Sequence, residues 1–403
     1  MKDRPEKGPY ERHVKTWRVL YAIAHGYICR KFNLVHEDLN VDGPVLIIPN
    51  HVTNWDPLLV AMSLKKKHVY FVATEHLFRL GFPSKLLRYF LAPIARPKGG
   101  SGLETVRNCV EHLRKGHSVC LFAEGEATWD GLTHPIFPAT GKLVKMSGAS
   151  LVTYRLEGAY LSLPRWRKTV RRGKVFGHPV HVYSPEDLAK MSPHEINDAI
   201  NRDIREDAWE REKEEKTVYC GKAPAKGLER ALYLCPACKK IGTLHTENDR
   251  IFCSCGLQLQ YSETGFSSLE SAAGAPTPSA SLKTCAEWIG WQEGALREVF
   301  TQAGRDPSRF ASPLFSDGGL TLLSVSNDHS QTVLSAGTLS QFPDRLVFED
   351  RTFPLSSIDS MAMVQTNRLL FTVKNAYYEI VSDKHSLTNL KKYLDCQAFS
   401  QKD

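Results

Sequence analysis

The chain has 403 residues, of which 42% are hydrophobic and 24% charged, and a formal net charge of +8. These values are those of ordinary globular material, too long for one core and suited to two or three domains; they exclude a fibrous or wholly disordered chain. The positive balance calls for an anionic partner, and a phospholipid surface, nucleic acid or a phosphorylated small substrate would each satisfy it.

The opening stretch "MKDRPEKGPYERHVK" lacks the apolar run and cleavage site of a secretory signal, so the expected location is cytoplasmic. Residues 10–32 predict one amphipathic helix, with Trp17, Leu20, Tyr21, Ala24 and Ile28 at helical spacing and Lys15, Arg18, Arg30 and Lys31 at its margins. Such a helix either covers a soluble core or lies in a membrane interface. Its most apolar segment, "VLYAIAHGYI", is about half as long as a spanning helix requires.

Residues 44–185 alternate apolar strand patterns ("VLIIP", "VYFVA", "SVCLFAE", "SLVTYRL") with helical ones such as "GLETVRNCVEHLRKG". The alternation predicts an α/β domain with a mostly parallel sheet flanked by helices. Within it, "LIIPNHVTNWDP" sets His51 and Asp56 at a strand-to-helix junction. Asp56 followed by proline has the pattern of a helix N-cap, and loops leaving the carboxyl ends of strands also carry catalytic groups. The pair alone leaves both roles open. "LAPIARPKGG" supplies Arg96 and Lys98, "CLFAEGEATWDG" puts Glu124-Gly125 at a strand's carboxyl end, and Lys142, Lys145 and Arg155 flank the next strand. The basic run from Ser162 to Gly177 holds six cations, no acid and Trp166, a composition suited to an anionic lipid surface. No nucleic-acid-binding module accompanies it. A charge-laden helix over 197–216 is expected to close this domain at residue 219 with a solvated face.

Asn50-His51-x4-Asp56, then Arg96, then Phe122-Ala-Glu124-Gly125, in that order and spacing, resemble the motifs of the glycerolipid acyltransferase family, 1-acylglycerol-3-phosphate acyltransferases foremost. The resemblance covers residues 10–215. It implies transfer of an acyl group from a thioester of coenzyme A or acyl carrier protein to the hydroxyl of a lysophospholipid, giving phosphatidic acid. His51 would be the general base, Asp56 its orienting carboxylate, and Arg96 with Glu124-Gly125 the binding site of the glycerol-phosphate end. The sequence departs from the family after Gly125, where Glu126, Ala127 and Thr128 replace the usual Thr-Arg-Ser. The missing arginine leaves Lys142 or Arg155 as substitute phosphate contacts, and Glu126 adds a repelling charge. These departures also fit a non-catalytic lipid- or protein-binding module kept on the same scaffold. The amphipathic first helix and the basic run favour a monotopic enzyme on an anionic membrane surface, and no nucleic-acid partner is expected. A G-x-S-x-G elbow and a phosphate-binding loop are both missing. Cys120, in a strand pattern, reads as a packing residue.

Beyond the first domain, Cys235-x2-Cys238, fourteen residues and Cys253-x-Cys255-Gly256 resemble a zinc ribbon over 228–265, a structural site of four thiolates. The small-residue segment 271–282 reads as a linker. From 283 to 400, one helix, several short strands and a terminal helix at "SLTNLKKYLD" suggest a small β-barrel, loosely similar to pleckstrin-homology or GRAM modules.

Overall fold

The computed structural model describes residues 9–74, 82–96, 102–269, 282–306, 311–326, 330–364, 367–374, 376–382 and 389–400. Lys98 and nearly all of the expected linker lie outside them. The chain forms two compact units, Met1–Gly221 and Lys222–Asp403.

The first unit begins with α1 (Pro9–Phe32), the expected amphipathic helix, followed by strand β1 (Leu34–His36) and strand β2 (Val45–Pro49). Then come α2 (Asp56–Ala61), β3 (Val69–Thr74), α3 (Phe82–Phe90), β4 (Ile94–Arg96), α4 (Leu103–Arg114) and β5 (Ser118–Cys120). The unit continues through α5 (Thr140–Ser147), β6 (Ser150–Glu157), α6 (Ala159–Ser162) and β7 (Val175–Tyr183). It ends with α7 (Pro185–Lys190), α8 (Pro193–Asp203) and α9 (Ala208–Glu215).

Seven strands form one sheet in the order β1-β7-β6-β2-β5-β3-β4, parallel throughout except for the β6–β7 pair. β2 sits at the centre and every residue of "VLIIP" is buried, which is why that stretch is continuously apolar rather than alternating. Leu46 and Ile48 meet Val110 and Leu113 of α4, Leu143 and Val144 of α5 and Ile196 and Ile200 of α8 in the main core. α1 is fastened beside α2 by two side-chain hydrogen bonds, Trp17 Nε1 to the Leu64 carbonyl (2.8 Å) and the Tyr21 hydroxyl to the Met62 carbonyl (3.0 Å). The opposite face of α1 exposes Val19, Ile23 and Tyr27. Among the described residues, no helix is long and apolar enough to cross a membrane.

Two charged segments differ from expectation. The stretch 197–216 is not one helix: α8 stops at Asp203, and the Asp207 carboxylate accepts from the backbone N–H groups of Trp209 and Glu210 to start α9. Most of its charged residues are exposed, as a solvated face requires, but one group is not. Arg211 is enclosed with Glu206 and Glu212, each 2.8 Å away, and the Tyr219 hydroxyl donates to Glu212. In the basic run, Trp166 and Arg171 are fully buried and Arg167 nearly so, while Lys168, Arg172 and Lys174 are exposed. Trp166 donates from Nε1 to the Tyr160 hydroxyl at 3.4 Å, so it anchors the interior rather than a lipid surface.

The second unit opens with a four-stranded antiparallel sheet of β8 (Leu244–Glu247), β9 (Arg250–Cys253), β10 (Gln258–Tyr261) and β11 (Ser267–Leu269). Helix α10 (Cys285–Arg305) follows, started by a Thr284/Glu287 capping box. Next are β12 (Phe315–Val325), β13 (Gln331–Gln341), β14 (Arg345–Phe348), β15 (Arg351–Pro354), β16 (Ile358–Val364), β17 (Arg368–Val373) and β18 (Ala376–Ser382). The described part of the terminal helix α11 (Lys391–Ser400) begins later than the sequence pattern suggested. The seven strands form an antiparallel sheet in the order β15-β14-β13-β12-β18-β17-β16, and among the described residues no pairing joins β15 to β16 to close the expected barrel. The cysteine region and this sheet are parts of one unit, because α10 reaches both. Trp288 Nε1 donates to the Leu234 carbonyl (3.0 Å), and Leu296 packs with Tyr233, Leu234 and Cys396.

Candidate active site

The parallel strands β2, β5 and β4 deliver their carboxyl ends to one side of the sheet, where open α/β folds place their ligands. Asn50 extends β2 by one residue. Its side-chain amide donates to the Leu156 carbonyl (3.0 Å) and accepts from the Leu156 N–H (2.7 Å), taking the place of a strand pair and fixing where the chain leaves the sheet.

His51 comes next and is held at three points. Its backbone N–H donates to Glu124 Oε1 (2.6 Å), its carbonyl accepts from the Thr128 N–H (3.0 Å), and its Nδ1 lies 2.7 Å from Asp56 Oδ2. The ring leans on Phe122 at 4.5 Å between centroids. A carboxylate can only accept, so Nδ1 carries the hydrogen and Nε2 keeps its lone pair. The histidine side chain is 18% exposed, whereas the aspartate is fully enclosed.

Asp56 does not cap α2. It is the first residue of that helix, Trp55 holds the cap position, and the carboxylate turns back to accept from the N–H groups of Val52 (2.6 Å) and Thr53 (2.9 Å) as well as from His51. The loop between the two residues is thereby closed into the bend that brings them together. Three donors converge on one carboxylate that has no exposed surface.

Glu124 spends both oxygens on backbone: Oε1 on His51 and Oε2 on the His134 N–H (2.7 Å). Burial pushes its carboxyl up to about 7, against the downward pull of these two bonds. It therefore braces the histidine loop, and no hydrogen bond to Arg96 occurs among the described residues. Gly125 has φ of +88°, and a Cβ there would come within 2.6 Å of the Phe137 ring and 3.5 Å of Arg96 Nη1, so the turn admits only glycine beside the guanidinium. Arg96 ends β4, half-buried, with its guanidinium 4.8 Å from the Phe137 ring centroid.

The remaining sequence candidates fall elsewhere. Glu126 is matched by Arg165, whose Nη1 lies 2.8 Å from it and also donates to the Ala127 carbonyl (3.1 Å), while the guanidinium stacks on Trp129. Glu126, still about half exposed, thus pairs with Arg165, and its charge also reaches the Arg96 guanidinium. Arg155 donates to the Asp203 carbonyl (3.0 and 2.5 Å), and Lys145 donates to the Met191 carbonyl (2.6 Å). Both are structural cations. Lys142 stands exposed on α5, and no described hydrogen bond or ion pair ties it to Arg96, Glu124 or His51. Cys120 is fully buried with its thiol pushed far up by that burial, which suits packing and not nucleophilic attack. Sequence reasoning missed Arg165, Thr128 and Phe137. The basic run held the first, but nothing local linked it to Glu126.

Residues 31–157 match the family model described as Acyltransferase. The matched segment contains His51, Asp56, Arg96, Glu124 and Gly125, and ends before Arg165. The crystal structure of the 1-acyl-sn-glycerophosphate (LPA) acyltransferase PlsC from Thermotoga maritima is similar over 53% of this chain and 83% of its own, at 20% identity and a TM-score of 0.42.

In the second unit, Cys235, Cys238, Cys253 and Cys255 bring four sulfurs within 4.8 Å of one another. The Cys235–Cys255 and Cys238–Cys253 separations are each 3.8 Å. A tetrahedral ion with metal–sulfur bonds of about 2.3 Å needs sulfur–sulfur edges of about 3.8 Å, and a disulfide needs about 2 Å, so the set has the dimensions of a closed thiolate site. Gly256, at φ of +95°, lets the chain turn within the short C-x-C knuckle.

Proposed function

We propose that this chain transfers an acyl group from a thioester of coenzyme A or acyl carrier protein to the free hydroxyl of a lysophospholipid, with 1-acylglycerol-3-phosphate as the leading acceptor and phosphatidic acid as product. The observation that carries this is the 2.7 Å His51–Asp56 contact at the carboxyl end of the central strand, inside the segment that matches acyltransferases. An alcohol near neutral pH is a weak nucleophile. Nε2 of His51 takes its proton as the oxygen attacks the thioester carbonyl, and the buried Asp56 carboxylate stabilises the imidazolium that forms. The tetrahedral intermediate then expels the thiolate, which recovers the proton from His51. Arg96, with Gly125 opening space beside it, is the cation for the acceptor phosphate. Arg165, drawn to Glu126, leaves Arg96 as the leading phosphate contact.

Membrane docking fits the same reading. The exposed Val19, Ile23 and Tyr27 of α1 and Leu86, Tyr89 and Phe90 of α3 are apolar, and the two helices meet where Arg12 lies 4.0 Å from the Tyr89 ring centroid. Arg18 and Arg30 flank that face and suit anionic lipid. The four-cysteine set would hold a structural zinc ion, as in zinc ribbons, and the terminal sheet with α11 would be a module similar to pleckstrin-homology or GRAM domains.

The test is incubation of the purified chain with acyl-CoA or acyl carrier protein thioesters and a mixed panel of lysophospholipids. We expect ester product, with lysophosphatidic acid preferred, and a fall of about 10²–10⁴-fold in His51→Ala. Vesicle binding with no ester formed from any donor would replace this proposal with a non-catalytic lipid-binding role. Free fatty acid as the product would mean thioester hydrolysis.

A further inference from the structure

Away from the crevice, α1 and β1 bring three more metal-binding side chains together. His25 and Cys29 are four residues apart on α1 and so share one helix face. The chain then turns at Asn33 (φ of +51°) and returns along β1, which places His36 against them. His25 Nε2 is 2.9 Å from His36 Nε2 and 3.6 Å from Cys29 Sγ, and the three ligand atoms all lie within 4.8 Å of one another. All three residues are half-buried, walled by the Tyr21 ring 4.9 Å from the His25 ring.

We propose that His25 Nε2, Cys29 Sγ and His36 Nε2 form a second metal site, for zinc or an ion of the same class, that fastens α1 to the edge of the sheet. Two imidazoles and a thiolate are the donor set of a borderline ion, and exclude calcium and magnesium, which take oxygen. A tetrahedral ion with bonds of about 2.05 Å to nitrogen and about 2.3 Å to sulfur sets nitrogen–sulfur edges near about 3.6 Å, the distance found. It sets nitrogen–nitrogen edges near about 3.3 Å, so the two rings must part by a few tenths of an ångström from their present hydrogen bond. His36 Nδ1 makes no hydrogen bond among the described residues, but the Asp38 carboxylate stands 3.7 Å away, close enough for a small rotation to bring in the outer partner that commonly orients a metal-bound imidazole. Three protein ligands leave a fourth position for water or a ligand from solution.

The staple has mechanical sense. α1 carries the exposed Val19, Ile23 and Tyr27, while β1 is an edge strand whose one strand partner among the described residues is β7. A metal bond across the turn ties the end of that helix to the sheet. Binding removes the Cys29 proton, so the site loads more tightly as pH rises.

Chelator-stripped full-length chain is titrated with Zn²⁺ against a chromophoric chelator, and separately with Co²⁺. We expect one more equivalent bound by the wild type than by His25→Gln/His36→Gln, a single-thiolate Co²⁺ charge-transfer band missing from Cys29→Ser, and thermal stabilisation of the wild type by the extra equivalent. Equal metal content in the wild type and both variants overturns the site. If the double variant does not fold, Cys29→Ser decides: an unchanged equivalence and cobalt spectrum overturn it as well.

Discussion

At the scale of single residues, the histidine loop is positioned by backbone contacts that leave little mark on a sequence. The offset from His51 to Asp56 is legible in "NHVTNWDP", and so is the strand that precedes it. The bend that joins the pair is not, because it rests on the Val52 and Thr53 N–H groups reaching the Asp56 carboxylate. That is why the aspartate has the pattern of a cap and a different role. Glu124 is a similar case: its motif implies substrate contact, and its oxygens also accept from the His51 and His134 N–H groups. Glu124→Gln keeps one acceptor and turns a donor toward the other N–H. Loss of one charge-assisted bond of about 1.5–3 kcal/mol predicts kcat lower by about 10–100-fold with KM for the acyl acceptor nearly unchanged. A shift in KM alone would assign Glu124 to the acceptor instead. Asp56→Asn removes the carboxylate that fixes the tautomer and predicts a loss of about 10²–10⁴-fold in kcat together with a lower thermal midpoint, because the Val52 and Thr53 N–H groups lose a charged acceptor; near-normal turnover in the folded variant would leave Asp56 only its loop.

At the scale of elements, hydrophobic period located the helices and strands, and burial decided what their polar residues do. Charge in 197–216 has the composition of a solvated helix, yet the Arg211–Glu206–Glu212 group is enclosed because Asp207 starts a new helix that folds back against the domain. Trp166 was misplaced for the same reason, since composition does not say which face of a loop is inside. A second polar group hidden in the core links α1 to β3 and α4. His68 is almost fully buried among His13, His112 and His117, and burial with these three neighbours pushes it down to about 4. His13 Nδ1 pairs with the Tyr70 hydroxyl at 2.9 Å, and Tyr10 stacks on His117. An unfolded histidine titrates near about 6.5, so as pH falls from there toward about 4 the unfolded chain takes up a proton that the native His68 refuses. Native stability is full above that window and declines across it, by up to about 3 kcal/mol from this residue. Urea midpoints at pH 7 and pH 5 should therefore differ in the wild type and differ by less in His68→Phe, where burial still holds His13, His112 and His117 below the free value. An equal pH dependence in both would clear His68 of the effect.

At the scale of the whole molecule, the division into Met1–Gly221 and Lys222–Asp403 separates the crevice from the four cysteines, so the two should respond to different insults. In the second unit the sulfur set joins the Cys235–Cys238 turn to the end of β9, beside the buried Leu234, Leu244, Ile251 and Leu257. Cys235 closes a turn by taking the Lys240 carbonyl, Cys253 ends β9, and Trp288 of α10 hangs on the Leu234 carbonyl beside them. If zinc holds the four thiolates, its removal releases both knuckles at once, and α10 loses the surface that carries Trp288 and Leu296. Cys238→Ser/Cys253→Ser should then abolish amide-exchange protection across 233–261 and in α10. In the first unit the protection of β2 and β6 should persist, because Asn50, Leu156 and the central strand owe nothing to those thiolates. Acyl transfer by the double variant should stay within about threefold of wild type, since no residue of the His51 loop lies beyond Gly221. Retained protection in 233–261 would show that this region stands on packing alone. Loss of protection in β2 would show that the two units fold as one.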